Sequence, residues 1–142
     1  MQVSNIMTKN VQTVAPHATL REAAELMKKH DVGSLPVSDG TRLVGMITDR
    51  DITVRAVADA KDQWEQRVRD VMSPDAIYCF EDDDVQTAAQ CMQERQVRRL
   101  VVVNRDKQLV GVVSLGDVAV QTGDDRLSGD TLQAVSEPAR AR

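Results

Sequence analysis

The chain repeats itself, and this internal repeat constrains its fold more than any other feature of the sequence. A shift of 65 residues lays positions 3–14 on positions 68–79, and one extra residue near Gln108 changes the shift to 66 for the remainder. A chain with two related halves predicts one structural unit built twice. Identical pairs include Met7 with Met72, Ala23 with Ala88, Met27 with Met92, Val37 with Val102, Gly45 with Gly111 and Asp51 with Asp117.

Each half predicts the same order of elements. Apolar residues recur at i, i+3, i+4 and i+7 over residues 20–27 and again over 85–92, which is the spacing of one helix face. Thr19 with Glu22 has the pattern of a capping box, and Asp84 is a candidate N-cap. Two short apolar runs separated by turn residues follow each helix and predict a hairpin. Each unit is therefore expected to run strand, helix, strand, strand, helix.

This order predicts a mixed α/β fold of the α+β type, in which two units pack their sheets around a shared core. The first repeat is expected over residues 1–60, a linker over 61–67 and the second repeat over 68–121. Residues 122–142 are polar, and we expect a loosely ordered tail there with at most a short helix around Leu132 to Val135.

Composition excludes several classes of function. The net charge of −4 and the presence of only three aromatic residues argue against a nucleic-acid partner, which requires clustered cations or stacking rings. The two cysteines and two histidines are scattered, so no metal site or disulfide framework is predicted. We find no run long enough for a membrane helix and no signal-like start, so a cytoplasmic location without membrane association is expected.

The second hairpin strand of each repeat ends in the pattern T/S-x-x-D, formed by Thr48 with Asp51 and by Ser114 with Asp117. Helix capping is one interpretation. Against it, the aspartate position of a capping box prefers Glu or Gln. A glycine also precedes each pattern, as close approach of a backbone or ligand would require. Finally, Arg50 places a cation at a helix start, which is unfavourable unless an anion binds there.

The alternative is a nucleotide cleft. A carboxylate in the first helical turn can accept hydrogen bonds from two adjacent ribose hydroxyls. The hydroxyl of Thr48 or Ser114, with nearby helix N–H groups, suits phosphate oxygens, and Arg98 and Arg99 could also hold phosphates. The apolar residues that could enclose a flat base are Met46, Val112, Val32 and Val97.

The doubled pattern, "GMITDRD" and "GVVSLGD", resembles a tandem pair of CBS (cystathionine-beta-synthase) domains over roughly residues 3–121. The resemblance implies two pseudo-twofold-related β-α-β-β-α repeats packed through their sheets. It also implies a regulatory module that binds adenosine-containing ligands in clefts between the repeats and forms homodimers face to face.

By this resemblance, each cleft draws on both repeats. One combines Met46, Thr48 and Asp51, with Arg50 nearby, and Ile77, Val97, Arg98 and Arg99; the other combines Val112, Ser114 and Asp117 with Gln12, Val32, Gly33 and Ser34. The repeats depart from each other at several places: Val101 stands in place of Pro36, and Leu115 and Gly116 in place of Asp49 and Arg50. We therefore expect the clefts to differ in affinity.

The predicted function is that of a stand-alone sensor. We expect it to bind AMP, ADP, ATP or another adenosine-containing molecule and to act through an effector protein that the sequence does not identify. No nucleophile and base pair, metal set or P-loop is found, so no catalytic activity and no catalytic cofactor are expected. The alternative is a non-catalytic dimerisation or assembly module whose ligand clefts are vestigial.

Overall fold

The computed structural model describes residues 1–138, which form two compact units. The first unit contains Gln12–Ala76 with Lys107–Leu109, and the second contains Met1–Val11, Ile77–Asp106 and the described residues from Val110 to 138. Each unit therefore holds the main helix and hairpin of one sequence repeat. The segment that opens each repeat belongs to the unit of the other repeat.

The first unit is built on one helix and one hairpin. Helix α1 covers Leu20–His30, and strands β1 (Ser34–Asp39) and β2 (Arg42–Thr48) pair antiparallel. The short helix α2, Asp49–Asp51, continues as a π-helical segment over Ile52–Val57, and α3 covers Val68–Val71.

The second unit begins with a 3₁₀ turn at Val3–Asn5 and contains a sheet in the order β3-β4-β5. Strand β3 pairs parallel with β4. The elements are β3 (Tyr78–Phe80), α4 (Val85–Arg95), β4 (Arg99–Val103), β5 (Leu109–Ser114), α5 (Leu115–Thr122) and α6 (Asp125–Ser136). The mixed helix and strand composition confirms the predicted fold class.

The caps form as the sequence predicts. Thr19 Oγ1 accepts a hydrogen bond from Glu22 N at 3.1 Å, and Glu22 Oε2 accepts one from Thr19 N at 3.3 Å. Asp84 Oδ1 accepts one from Gln86 N at 2.9 Å. These bonds satisfy N–H groups that have no partner within the helix.

The repeat is preserved in the strand pairing. Val14 pairs with Val37 in a parallel bridge, and the equivalent Cys79 pairs with Val102 between β3 and β4. The first unit has only this bridge where the second has the three-residue strand β3. The predicted leading strand of the first repeat is therefore reduced to a single pair.

Each unit has its own apolar core. The first unit buries Leu20, Ala23, Met27, Leu35, Val37, Ile47, Val68 and Val71 among others. The second buries Val3, Ile6, Val85, Ala88, Met92, Leu100, Val102, Val113 and Val118. Both cores combine the inner face of the main helix with the inner residues of the strands, which is the arrangement that the helical spacing predicts.

The short helix expected around Leu132 to Val135 lies within α6, but α6 is longer and covers Asp125–Ser136, so the expectation of a loosely ordered tail is wrong for the rest of this helix. Leu127 and Val135 pack against the second core, and Thr131 is fully buried. Thr131 satisfies its hydroxyl group by donating to Leu127 O and accepting from Gln93 Nε2, so a polar sequence can still form a packed helix. Residues 139–142 of the predicted tail lie outside the described residues.

None of the helices among residues 1–138 has the length and apolar character needed to cross a bilayer.

Candidate functional site

The two T/S-x-x-D patterns form reciprocal hydrogen bonds. Thr48 Oγ1 accepts from Asp51 N at 3.0 Å, and Asp51 Oδ2 accepts from Thr48 N at 3.0 Å. Ser114 and Asp117 form the same pair of bonds at 3.0 and 2.9 Å. The preference of this position for Glu or Gln is therefore no argument against capping, because both aspartate carboxylates reach the backbone.

The box occupies only one oxygen of each carboxylate. Asp51 Oδ1 lies 3.8 Å from Arg55 Nε, and the Asp51 side chain is 15% exposed. Asp117 Oδ1 has no hydrogen-bond or ion-pair partner among residues 1–138. Since no buried side-chain oxygen of those residues lacks a partner, this oxygen must reach solvent. Each carboxylate can thus cap the helix and still accept a further hydrogen bond.

The glycine before each T/S-x-x-D pattern makes room for another backbone segment of the protein. Strand β2 bonds to the leading segment of the second repeat through Met46 N to Ser73 O at 3.0 Å and Ser73 N to Met46 O at 2.9 Å. A Cβ on Gly45 would lie 2.6 Å from Ser73 O. The close approach that the glycine predicts is confirmed, but the space is filled by protein and is no argument for a ligand.

The loop before each hairpin is hydrogen-bonded to the start of the helix that follows the hairpin. Asp49 N donates to Gly33 O at 2.9 Å in the first unit, and Leu115 N donates to Arg98 O at 2.8 Å in the second. Ser34 lies opposite Thr48 in the β1–β2 register. The loop and the T/S-x-x-D residues of the same repeat are therefore neighbours.

The predicted site residues divide between the two units. The first unit contains Gln12, Val32, Gly33, Ser34, Met46, Thr48, Arg50 and Asp51, and the second contains Ile77, Val97, Arg98, Arg99, Val112, Ser114 and Asp117. Val112 N and O pair with Thr8 O and N, just as Met46 pairs with Ser73. The combination of residues from both repeats in one cleft stays a prediction.

The predicted phosphate-binding cations are exposed. Arg98 and Arg99 are solvent-exposed, and neither guanidinium has a hydrogen-bond or ion-pair partner among residues 1–138. Arg50 is also exposed; its backbone N donates to Asp49 Oδ1 at 2.8 Å. All three guanidinium groups are therefore available to an anion.

One residue beside the site was missed at the sequence level. Arg55 contacts Asp51 and also donates from Nη1 to Val71 O at 3.1 Å. Its position four residues after Asp51 is the spacing of an ion pair along a helix, so this signal was present in the sequence.

Burial determines the reactivity of the two cysteine thiol groups. Burial, assisted by the negative charge of Asp83, raises the pKa of Cys79 to about 12, and burial also raises the pKa of Cys91. A protonated thiol is a poor nucleophile and metal ligand. Within residues 1–138 no group of three or more His, Cys, Asp or Glu residues is placed to hold a metal ion.

Two regions of the chain match one family model, that of the CBS domain, over residues 3–57 and 68–121. The chain belongs to the CBS domain family. It is 40% identical over 134 residues to the CBS domain-containing protein YhcV of Bacillus subtilis, and the match covers 94% of each protein.

Solved structures of CBS proteins resemble the chain over most of its length. The CBS domain protein PAE2072 from Pyrobaculum aerophilum, complexed with AMP, is 26% identical with a TM-score of 0.77, covering 94% of this chain and 99% of that one. The CBS domain pair of MJ0100, in complex with 5′-methylthioadenosine and S-adenosyl-L-methionine, is 29% identical with a TM-score of 0.74, covering 87% and 100%.

Proposed function

We propose that this CBS pair is a non-catalytic regulatory module that binds an adenosine-containing ligand. Asp51 in the first unit and Asp117 in the second would each accept hydrogen bonds from ribose hydroxyls. Support comes from the relatives, since PAE2072 is complexed with AMP and MJ0100 with two adenosyl compounds. The ligand of this chain is of the same class, with AMP, ADP and ATP as the first compounds to test.

The observation that carries this proposal is that only one oxygen of each carboxylate is used in the capping box. Oδ2 caps the helix, and Oδ1 remains for a ligand. Hydrogen bonds to an ionised carboxylate are stronger than those between neutral groups. The capping bond also fixes the side chain, so little conformational entropy is lost when the ribose binds.

Phosphate groups would be bound by hydroxyl and guanidinium groups. Thr48 Oγ1 and Ser114 Oγ accept the capping bond and keep their own hydrogen to donate to a phosphate oxygen. Arg98 and Arg99 supply positive charge in the second unit, and Arg50 does so in the first. Replacing both Arg98 and Arg99 with Gln should weaken the binding of AMP much more than the binding of adenosine.

Regulation requires a partner. A ligand changes signalling only if it binds two states of the module with different affinity and another protein distinguishes those states. We therefore propose that the occupied module acts on an effector protein.

A thermal shift measurement tests the binding proposal. At about 100 times its dissociation constant, AMP should stabilise the fold by roughly 2.7 kcal/mol, a rise in melting temperature on the order of 4 to 10 °C. Asp51→Asn and Asp117→Asn each keep an oxygen that can cap the helix, so the free proteins should lose under about 1 kcal/mol. Affinity at the altered carboxylate should fall roughly ten- to a hundredfold.

If no adenosine-containing ligand stabilises the parent protein, a second function is supported, that of an assembly module with vestigial sites. For such an assembly module, AMP, ATP, adenosine and S-adenosylmethionine at millimolar concentration would leave the melting temperature unchanged. Val54 and Val57, which are 46% and 68% exposed on the π-helical segment, favour a role in association.

A further inference from the structure

Arg55 makes the surroundings of the two carboxylates unequal. Its Nε lies 3.8 Å from Asp51 Oδ1, the oxygen that the capping box leaves over. Its Nη1 donates a hydrogen bond of 3.1 Å to Val71 O, the last carbonyl of α3. This second contact holds the guanidinium beside the carboxylate, where an unanchored arginine would move freely in solvent.

The second unit lacks this cation. The residue equivalent to Arg55 is Gln121, which is neutral and exposed at the end of α5. Asp117 Oδ1 consequently has no charged partner among residues 1–138. The capping boxes are the same to within 0.1 Å, so the boxes do not distinguish the two carboxylates, whereas the ion pair with Arg55 does.

The winding of the helix accompanies this difference. After Asp51 the chain forms a π-helix over Ile52–Val57, whereas α5 after Asp117 is α-helical. Ala58 N bonds to Thr53 O at 2.9 Å, five residues earlier. A π turn changes the direction in which following side chains leave the helix, and such turns are frequent at functional sites.

We propose that Arg55 lowers the affinity of Asp51 for a ribose, so that Asp117 is the stronger of the two adenosine-binding carboxylates. This inference rests on the proposed function. A ribose hydroxyl gains most from a carboxylate whose charge is not already balanced, and Arg55 balances part of the charge of Asp51. Arg55 is 53% exposed and therefore screened by solvent, so we expect a difference of about three- to tenfold in dissociation constant.

Calorimetric titration with adenosine tests the inference, because adenosine carries no phosphate for the other arginines to bind. Asp117→Asn leaves Asp51 as the remaining carboxylate of the pair, and Asp51→Asn leaves Asp117. The first variant should bind adenosine about three- to tenfold more weakly than the second. Adding Arg55→Gln to the Asp117→Asn protein should remove most of that difference.

Two further measurements separate an effect through Asp51 from a general loss of charge. Arg55→Gln added to the Asp51→Asn protein should leave adenosine affinity unchanged, since the carboxylate on which Arg55 acts is absent. Arg69→Gln removes one exposed cation from the same unit and should have no effect in either background. Arg55→Met, which retains the apolar stem, is a second neutral variant.

Three results would overturn the inference. These are equal or tighter binding by the Asp117→Asn protein, no gain from the neutral variants at Arg55, and a gain that persists when Asp51 is replaced. If the parent protein itself binds no adenosine, the proposed function fails and this inference fails with it. If the parent binds adenosine and the two carboxylates are equivalent, only the inference fails.

Discussion

The sulfur atom of Met72 lies 2.9 Å from the point where a Cβ on Gly45 would stand. In the second unit, the Met7 sulfur lies 2.8 Å from the same point on Gly111. Each methionine belongs to the segment that opens one repeat, and each glycine belongs to the hairpin of the other repeat. The absence of a side chain at these glycines is what allows the segment to lie against the strand.

Gly45→Ala and Gly111→Ala should each lower the free energy of unfolding by about 3 kcal/mol. Besides the methionine sulfur, a backbone oxygen lies 2.6 Å from the Gly45 position and 2.7 Å from the Gly111 position. Backbone that is held by two hydrogen bonds cannot move aside cheaply. Urea denaturation monitored by circular dichroism measures the change.

Gly129→Ala is the matched control. No atom lies within 4 Å of its Cβ position, and Gly129 lies within α6, where alanine is favoured over glycine by up to about 1 kcal/mol. This variant should be slightly more stable than the parent. If Gly45→Ala is also as stable as the parent or more stable, the close approach of the backbone to Gly45 on β2 is contradicted.

Thr131→Val should destabilise the protein by about 1 to 2 kcal/mol. The side chain keeps its shape, but the hydroxyl that accepts from Gln93 Nε2 at 2.9 Å is lost, and a half-buried amide loses its partner. Thr87→Val on the exposed face of α4 should change the free energy of unfolding by less than about 0.5 kcal/mol. Equal effects of the two substitutions in thermal denaturation would contradict a packed α6.

Local patterns predicted much of the fold because they reflect local physics. The spacing over residues 20–27 predicts an amphipathic helix, and Thr19 with Glu22 predicts its first turn. Both depend only on contacts between residues three or four positions apart. The pairing of Thr48 with Asp51 is equally local, and sequence reasoning failed there only in judging the reach of aspartate.

The features that the sequence did not predict depend on contacts distant along the chain. Met7 packs at Gly111, and no periodicity within either segment encodes that contact. The length of α6 was underestimated because few of its residues are apolar and Thr131, its fully buried residue, is polar. The placement of the Arg55 guanidinium depends on Val71 O, sixteen residues away, as well as on Asp51.

Cys79 should be unreactive toward a thiol reagent in the folded protein at pH 8. Its side chain is 5% exposed, and its pKa of about 12 leaves almost no thiolate. Half-buried Cys91 should react first, and both should react fully in denaturant. Rapid modification of two thiols in the native protein would contradict this burial.

The raised pKa of Cys79 also predicts a loss of stability in alkali. Below the ordinary thiol pKa of 9.0, both the folded and the unfolded chain keep the proton, and the free energy of unfolding is unaffected. Between that value and about 12, the unfolded chain ionises while the folded chain does not, so stability falls as pH rises. Cys79→Ala should show a smaller decrease between pH 9 and 11 in urea denaturation.

We predict that the protein is a homodimer and that Val57→Glu weakens the dimer at least tenfold. Val57 is 68% exposed beside Val54, and a charge buried in an apolar interface without a partner is strongly unfavourable. Light scattering at micromolar concentration and physiological salt should give about twice the mass of one chain for the parent. The Val57→Glu protein should approach the mass of a single chain.

Leu132→Glu provides the comparison, because Leu132 is also an exposed apolar residue on a helix, 49% exposed on α6. This variant should remain dimeric. Loss of the dimer in Leu132→Glu with retention in Val57→Glu would place the interface on α6. A parent protein that is monomeric under these conditions would contradict the dimer itself, and the exposed valines would then need a different partner.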